Sequence, residues 1–308
     1  MRAIVMHETG TPEVLVPEEV EAPTPSPGQV LVHTEIVPVA FYETLLRSGT
    51  FPFPRPLPTT FGFEAVGTLN GQRVFLMDLN SSGTYAEHVA TSPENLTPIP
   101  ENVSSEDAAA ITVQGAVTLG LLQKAALTGN ETVLIEVASG GVGGYLTQLA
   151  RAYGAGRIIA TAGGPAKAAA VRDLGADTVL DHTDPTWPEQ LKEGEVDLVF
   201  DSIGGDSTKT LLPALARGTG RILQYGVLNG PPAITAADLI PRGLTLTACS
   251  SEGPWLDTVE AAKPEALKLV AEGRLKPRID ETLPLAEAAE AHRRIEARTP
   301  TGKLLLRP

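Results

Sequence analysis

The segment Val133-Leu134-Ile135-Glu136-Val137-Ala138-Ser139-Gly140-Gly141-Val142-Gly143-Gly144 holds the residues best equipped for chemistry. Ala138, Gly140 and Gly143 stand at the G-x-G-x-x-G spacing, with alanine in the first place. Glycines there let the chain turn tightly and bring backbone N–H groups against a pyrophosphate. The helix that follows turns its positive end toward the same anion. A glycine pattern alone says little. This one follows an apolar run suited to a strand and opens a helix bearing Val142, Leu146, Leu149, Ala150 and Tyr153, the context a dinucleotide site requires. An NAD site generally carries an acid about 20 residues further on, for the ribose 2′-OH. Here Ile158-Ile159-Ala160-Thr161-Ala162-Gly163-Gly164-Pro165 contains none, and Lys167 follows in the first turn of the next helix. The expected ligand is a dinucleotide with a 2′-phosphate, NADPH.

The elements that must position this turn read as a doubly wound α/β unit. Short apolar runs at 132–137, 157–161, 178–180, 196–201, 220–225 and 244–249 alternate with helices expected at 165–174, 187–193 and 206–217. Six such strands suit a parallel sheet covered on both faces. Residues 1–118 lack helical periodicity and show strand-like runs such as Gln29–Val37 between Pro- and Gly-rich turns, which reads as a β-rich barrel domain. After residue 261 come helices at 264–272 and 285–297 and a last strand at 303–306. That strand pairs most simply with the N-terminal domain. Residues 1–118 and 262–308 then form one domain, and 119–261 form an inserted one.

Composition narrows the function. The 308 residues hold 24 Lys and Arg against 37 Asp and Glu, a net charge of −13, which disfavours a nucleic-acid partner. The one cysteine, Cys249, precludes an internal disulfide, suits a reducing cytoplasmic compartment and rules out a Cys-rich zinc centre. The uncharged run 108–123, with Gly115 and Gly120 inside it, is too short to span a bilayer and reads as a buried helix pair or a hinge.

Several further motifs make the sequence resemble the medium-chain dehydrogenase/reductase superfamily, in its zinc-free quinone oxidoreductase branch. They are Ala40-Phe41-Tyr42-Glu43-Thr44 with Arg47-Ser48-Gly49, Gly62-Phe63-Glu64 with Val66-Gly67, Ala138–Gly143, Asp201-Ser202-Ile203-Gly204-Gly205 and Thr301-Gly302-Lys303. The resemblance implies a GroES-like barrel interrupted by a Rossmann domain, with hydride transfer from NADPH to quinones or activated C=C bonds. It implies contacts from Gly141 and Val142 to the pyrophosphate. Gly163, Lys167 and His182 would face the 2′-phosphate, Tyr225 and Gly226 the nicotinamide half, and Arg298 the adenine end; Ser250 and Ser251 follow the sixth strand. Zinc-dependent cousins carry Cys and His where this chain has Ala40 and Phe63, so no metal is expected, and the remaining Glu64 is assigned a structural role.

The chain also departs from the quinone reductases, which often carry Asn at the place of Ala40 and tyrosines at those of Leu45 and Phe51. Phe41, Leu45, Phe51 and Phe53 then make the substrate pocket apolar, and Tyr42 is the one phenol in the motif, hence the candidate catalytic residue. The reading is an NADPH-dependent, zinc-independent quinone oxidoreductase. Its rivals are an enone or enoyl-thioester reductase on the same fold and a nonenzymatic NADPH-binding sensor or structural protein. Leu244–Cys249 alternates apolar and hydroxyl residues without Lys or Pro to blunt pairing, and would join two copies as a homodimer.

Overall fold

A computed structural model describes residues 1–50, 56–78, 83–249 and 253–308. Phe51, Phe53, Ser250 and Ser251 lie outside the described residues. The chain forms two compact units, Met1–Val113 with Lys263–Pro308, and Gln114–Ala262. Their boundaries fall near the expected 118/119 and 261/262, but inside helices.

The first unit opens with strands β1 (Arg2–Met6), β2 (Leu15–Glu19), β3 (Val30–Pro38), β4 (Thr59–Thr60), β5 (Glu64–Leu69), β6 (Gln72–Met77), β7 (His88–Thr91) and β8 (Leu96–Pro98). Helix α1 (Phe41–Ser48) stands between β3 and β4. It begins where Glu43 reaches back to the Ala40 N–H (2.8 Å), and it stops at Gly49, whose φ of 78° few side chains tolerate. Residues 105–125 form one helix, α2 (Ser105–Ala125), and not a helix pair; the other expectation for the run 108–123 is a hinge, and the boundary between the two units falls within that run. The helix owes its length to continuous apolar packing, with residues 108–111 and 121–122 buried, which outweighs glycine's low propensity.

In the second unit come β9 (Glu131–Ile135), α3 (Gly141–Leu149), β10 (Ala155–Ala162), α4 (Pro165–Asp173), β11 (Thr178–Asp181), β12 (Leu198–Asp201), α5 (Gly205–Leu211), β13 (Arg221–Gln224), α6 (Ala236–Leu239) and β14 (Thr245–Ala248). The sheet order is β11-β10-β9-β12-β13-β14, all parallel, the dinucleotide-binding order. Three helical expectations are corrected. Tyr153 lies past α3, in a turn. The segment 187–193 is only a 3-10 turn, Trp187–Gln190, with Trp187 buried as its anchor. The segment 206–217 is helical only to Leu211, followed by a 3-10 turn around Pro213, which cannot continue the helical hydrogen bonding.

Helix α7 (Pro254–Ala271) leads back into the first unit and starts ten residues earlier than the expected 264, with Pro264 inside it. Strand β15 (Ile279–Pro284), helix α8 (Ala288–Glu296) and strand β16 (Lys303–Arg307) complete the chain. β16 pairs with β3 through Leu305 against Pro38 and Leu306 against Val37, so the last strand joins the N-terminal sheet as expected. The first unit's core gathers Ile4, Val37, Phe61, Phe63, Leu76, Tyr85, Leu304 and Leu306, and Tyr42 packs against it. No helix among the described residues is long and apolar enough to cross a membrane.

Candidate functional site

The second unit brings the expected turn to the carboxyl end of its sheet. β9 ends at Ile135, and Val137 takes φ 51°, reversing the chain. The turn is tied to β10 by the Ala138 N–H to Thr161 carbonyl bond (2.8 Å) and by the Val137 N–H donating to Thr161 Oγ1 (2.9 Å). Gly144 is the residue whose N–H bonds back to Gly140 O (2.9 Å), so the N–H groups of α3's first turn point past the helix end, where an anion can take them. A Cβ on Gly143 would lie 2.6 Å from Val137 O, so only glycine lets helix and strand approach this closely. A Cβ on Gly226, after β13, would lie 2.6 Å from Ser202 O, after β12. These close approaches fit the cradle that a dinucleotide needs.

At the next turn, Gly163 and His182 meet: a Cβ on Gly163 would come within 3.0 Å of His182 Nε2. His182 Nδ1 lies 3.3 Å from Thr161 Oγ1. Lys167 sits half-buried in the first turn of α4. Sequence reasoning missed Asp181 here. Its carboxylate accepts from the Gly164 N–H (3.0 Å) and the Thr183 N–H (2.9 Å), bonds that hold its pKa down at about 2. An anion thus stands at the turn although β10 and its loop carry none. Tyr225 is half-buried beyond β13, its hydroxyl pKa pushed up by burial. Arg298, at φ 56° after α8, is exposed in the first unit.

A buried carboxyl pair, to which the sequence assigned no role, stands at the carboxyl ends of β9 and β12. Glu136, at the end of β9, and Asp201, at the end of β12, share a hydrogen bond and are both fully buried. Asp201 accepts from the Ile203 and Gly204 N–H groups (2.8 and 2.9 Å). Burial, then the charge of Asp201, raise the Glu136 carboxyl well above its ordinary range, so Glu136 carries the proton.

In the first unit, the Tyr42 hydroxyl donates to Glu64 Oε1 at 2.8 Å. Phe41 and Leu45 are half-buried on the same helix. Beside them the Tyr85 hydroxyl donates to Glu43 Oε2 (2.9 Å) and lies 3.2 Å from His292 Nε2. Burial and the Glu64 charge push the Glu43 carboxyl up to about 8, while burial and then Arg47 push His292 down to about 3. Tyr85 and His292 are 207 residues apart in sequence and gave no local signal. Ala40 and Phe63, at the positions of the zinc ligands in metal-dependent cousins, are buried and apolar. Among the described residues no group of three or more His, Cys, Asp or Glu side chains could hold a metal ion.

These shifts set opposite pH slopes on stability. Glu43 stays protonated in the fold while its unfolded form ionises above about 4.5, so its contribution is lost as pH rises from there to about 8. His292 stays neutral in the fold while its unfolded form protonates below about 6.5, so its contribution is lost as pH falls from there to about 3. The two slopes offset between about 4.5 and 6.5. Above that, Glu43 costs about 1.4 kcal/mol per pH unit up to about 8, in addition to the loss from Glu136, whose carboxyl is raised in the same sense. Urea unfolding of the protein and of Glu43→Gln at pH 6.5 and 8 checks this: the variant should have the shallower slope, by the share that Glu43 contributes.

Residues 174–306 match the zinc-binding dehydrogenase family. The quinone oxidoreductase of Pseudomonas aeruginosa is 30% identical, covering 97% of each chain. Quinone oxidoreductase 1 of Escherichia coli is 31% identical, covering 99% of each. The crystal structure of an Escherichia coli quinone oxidoreductase complexed with NADPH superposes with a TM-score of 0.90 at 29% identity, over 100% of both chains.

Proposed function

We propose, from the premise that this chain belongs to the quinone oxidoreductase branch of the medium-chain dehydrogenase/reductase superfamily, that it is an NADPH-dependent oxidoreductase reducing quinones or similar conjugated carbonyl compounds. The strand–turn–helix at Ala138–Gly143 is the observation that carries this reading, because its close backbone approaches and exposed helix end suit a pyrophosphate. When bound, NADPH supplies a hydride from its nicotinamide. Gly141 and Val142 hold the pyrophosphate by backbone N–H groups. Lys167, His182 and Gly163 receive the 2′-phosphate. Tyr225 and Gly226 flank the nicotinamide half. Phe41 and Leu45 offer apolar surface for the acceptor, and Tyr42 faces its oxygen. The protein's work is orientation and exclusion of water, since quinones accept hydride readily. NADPH oxidation with benzoquinone, followed by absorbance, tests the reading.

The Tyr42–Glu64 hydrogen bond favours a second reading, reduction of enones or enoyl thioesters, because such acceptors need a proton more than quinones do.

We place the enzyme in the cytoplasm on its single cysteine, and expect it to work without zinc because Ala40 and Phe63 cannot ligate one. Turnover should survive exhaustive chelation; stoichiometric zinc whose removal abolishes turnover would refute this. The parallel sheet ends at β14, which pairs only with β13 within the described residues, leaving an edge for a second copy. We therefore expect a homodimer joined through β14. Light scattering at micromolar concentration should give twice the chain mass, and monomer alone would contradict the assignment.

A further inference from the structure

Thr161, near the end of β10, is fully buried, and its two oxygens serve three groups. Its carbonyl accepts from the Ala138 N–H (2.8 Å), and its Oγ1 accepts from the Val137 N–H (2.9 Å). Both donors belong to the turn that leaves β9, where Val137 takes φ 51°. The same Oγ1 lies 3.3 Å from Nδ1 of His182, the residue that follows β11. These partners decide which ring nitrogen carries a proton. A hydroxyl has one proton to give and two lone pairs with which to receive. The Val137 N–H takes a lone pair, so the proton still needs an acceptor, as buried hydroxyls generally find one. Among the described residues, the acceptor within reach is His182 Nδ1. Thr161 therefore donates to Nδ1, and in the neutral ring the proton sits on Nε2. Nε2 is the ring atom turned toward Gly163: a Cβ there would meet it at 3.0 Å, against 3.6 Å for Cδ2. The ring thus presents an N–H donor at the Gly163 turn. The Gly164 N–H of that turn is already held by Asp181 (3.0 Å).

We propose that Thr161 sets the preference for NADPH by fixing the His182 tautomer, so that the ring offers its Nε2–H to the 2′-phosphate. This rests on the reading of the Gly163 turn as the 2′-phosphate site. In the other tautomer a bare Nε2 lone pair would face phosphate oxygens, which are acceptors themselves, and repel them. Thr161 is a positioning residue in this scheme: it acts on the phosphate only through His182. The same hydroxyl oxygen steadies the pyrophosphate turn through Val137. The two roles separate by cofactor. NADPH and NADH share the pyrophosphate, so what Thr161 does through Val137 reaches both alike. Only NADPH carries the 2′-phosphate, so what Thr161 does through His182 reaches NADPH alone.

Two measurements decide it. The first is nitrogen-15 NMR of the imidazole rings at about pH 8, above the ordinary histidine range. His182 should show a bare Nδ1 and a protonated Nε2, its signals identified among the five histidines by their loss in His182→Phe. The second is the ratio of the NADPH and NADH dissociation constants. Thr161→Val should lower the preference for NADPH by about 2- to 10-fold, the worth of one neutral hydrogen bond, and release His182 into a mixture of tautomers. Thr161→Ser keeps the hydroxyl and should restore both the ratio and the tautomer. His182→Phe should lower the preference at least as far, and adding Thr161→Val to it should move the ratio no further. An Nδ1–H tautomer in the unsubstituted protein would overturn the proposal. So would Thr161→Val weakening both cofactors equally, which is the signature of a residue that only shapes the turn, and so would losses that add in the double variant. A bare Nδ1 in a protein that binds NADPH no tighter than NADH would overturn the reading of the 2′-phosphate site and the selectivity role with it, leaving the Thr161–His182 hydrogen bond standing.

Discussion

Tyr42→Phe is expected to slow enone reduction by about 10²–10⁴-fold, the usual worth of positioned acid assistance, and to slow benzoquinone reduction by much less. The difference follows from the acceptors. A quinone that gains a hydride becomes a stabilised phenolate, which solvent can protonate afterwards. An enone becomes an enolate, whose formation is eased by a donor at the oxygen. Tyr42 is the phenol on α1, and its hydroxyl is already oriented by Glu64 at 2.8 Å. Phenylalanine keeps the ring against Phe63 and the core, so the fold should survive. Steady-state rates on both acceptors, with and without the hydroxyl, check this. Equal and large losses on both would make Tyr42 a general acid for quinones too. Equal and small losses would remove it from the chemistry.

Lys167→Ala is expected to weaken NADPH binding by about 10- to 150-fold and leave NADH binding nearly unchanged. A hydrogen bond to a charged group is worth about 1.5–3 kcal/mol, and about 1.36 kcal/mol corresponds to tenfold. Asp181 sharpens the expectation. Its carboxylate occupies the Gly164 N–H, so that backbone donor is not open to a 2′-phosphate and more of the recognition falls on Lys167 and His182. Fluorescence titration of both cofactors on both proteins decides the matter. Equal loss for the two would make Lys167 structural, and tighter NADH binding by the unsubstituted protein would overturn the cofactor preference.

What the sequence made legible was whatever depends on local spacing. The turn from Ala138 to Gly143 could be read because glycine is needed at fixed intervals for turning and close packing, and the six strands could be read because buried parallel strands are continuous apolar runs. The return of β16 to β3 followed from one strand having no place in the six. The helical ends were less legible. Pro213 ended a helix that the apolar pattern alone would have continued, and Trp187 anchored a 3-10 turn that looked like a helix. The polar groups around the candidate sites were the least legible. Glu43 could be quoted as part of a motif, yet its raised pKa depends on burial that no local pattern encodes, and on Glu64 from strand β5. Tyr85 and His292 meet only through the tertiary fold, since 207 residues separate them in sequence. Asp181 reaches the Gly164 turn from the neighbouring strand, where β11 pairs Asp181 with Ala162, so a search for an acid along β10 alone could not find it.

The most direct test of the central claim is NADPH oxidation by the chelator-treated protein across benzoquinones, enals, enones and enoyl thioesters. Acceptor-dependent loss of NADPH absorbance is expected, much faster than with NADH, with a quinone or another conjugated carbonyl compound consumed in equal amount. Tight NADPH binding with no acceptor reduced by any member of the panel would contradict that claim and leave the chain a nucleotide-binding protein without this chemistry.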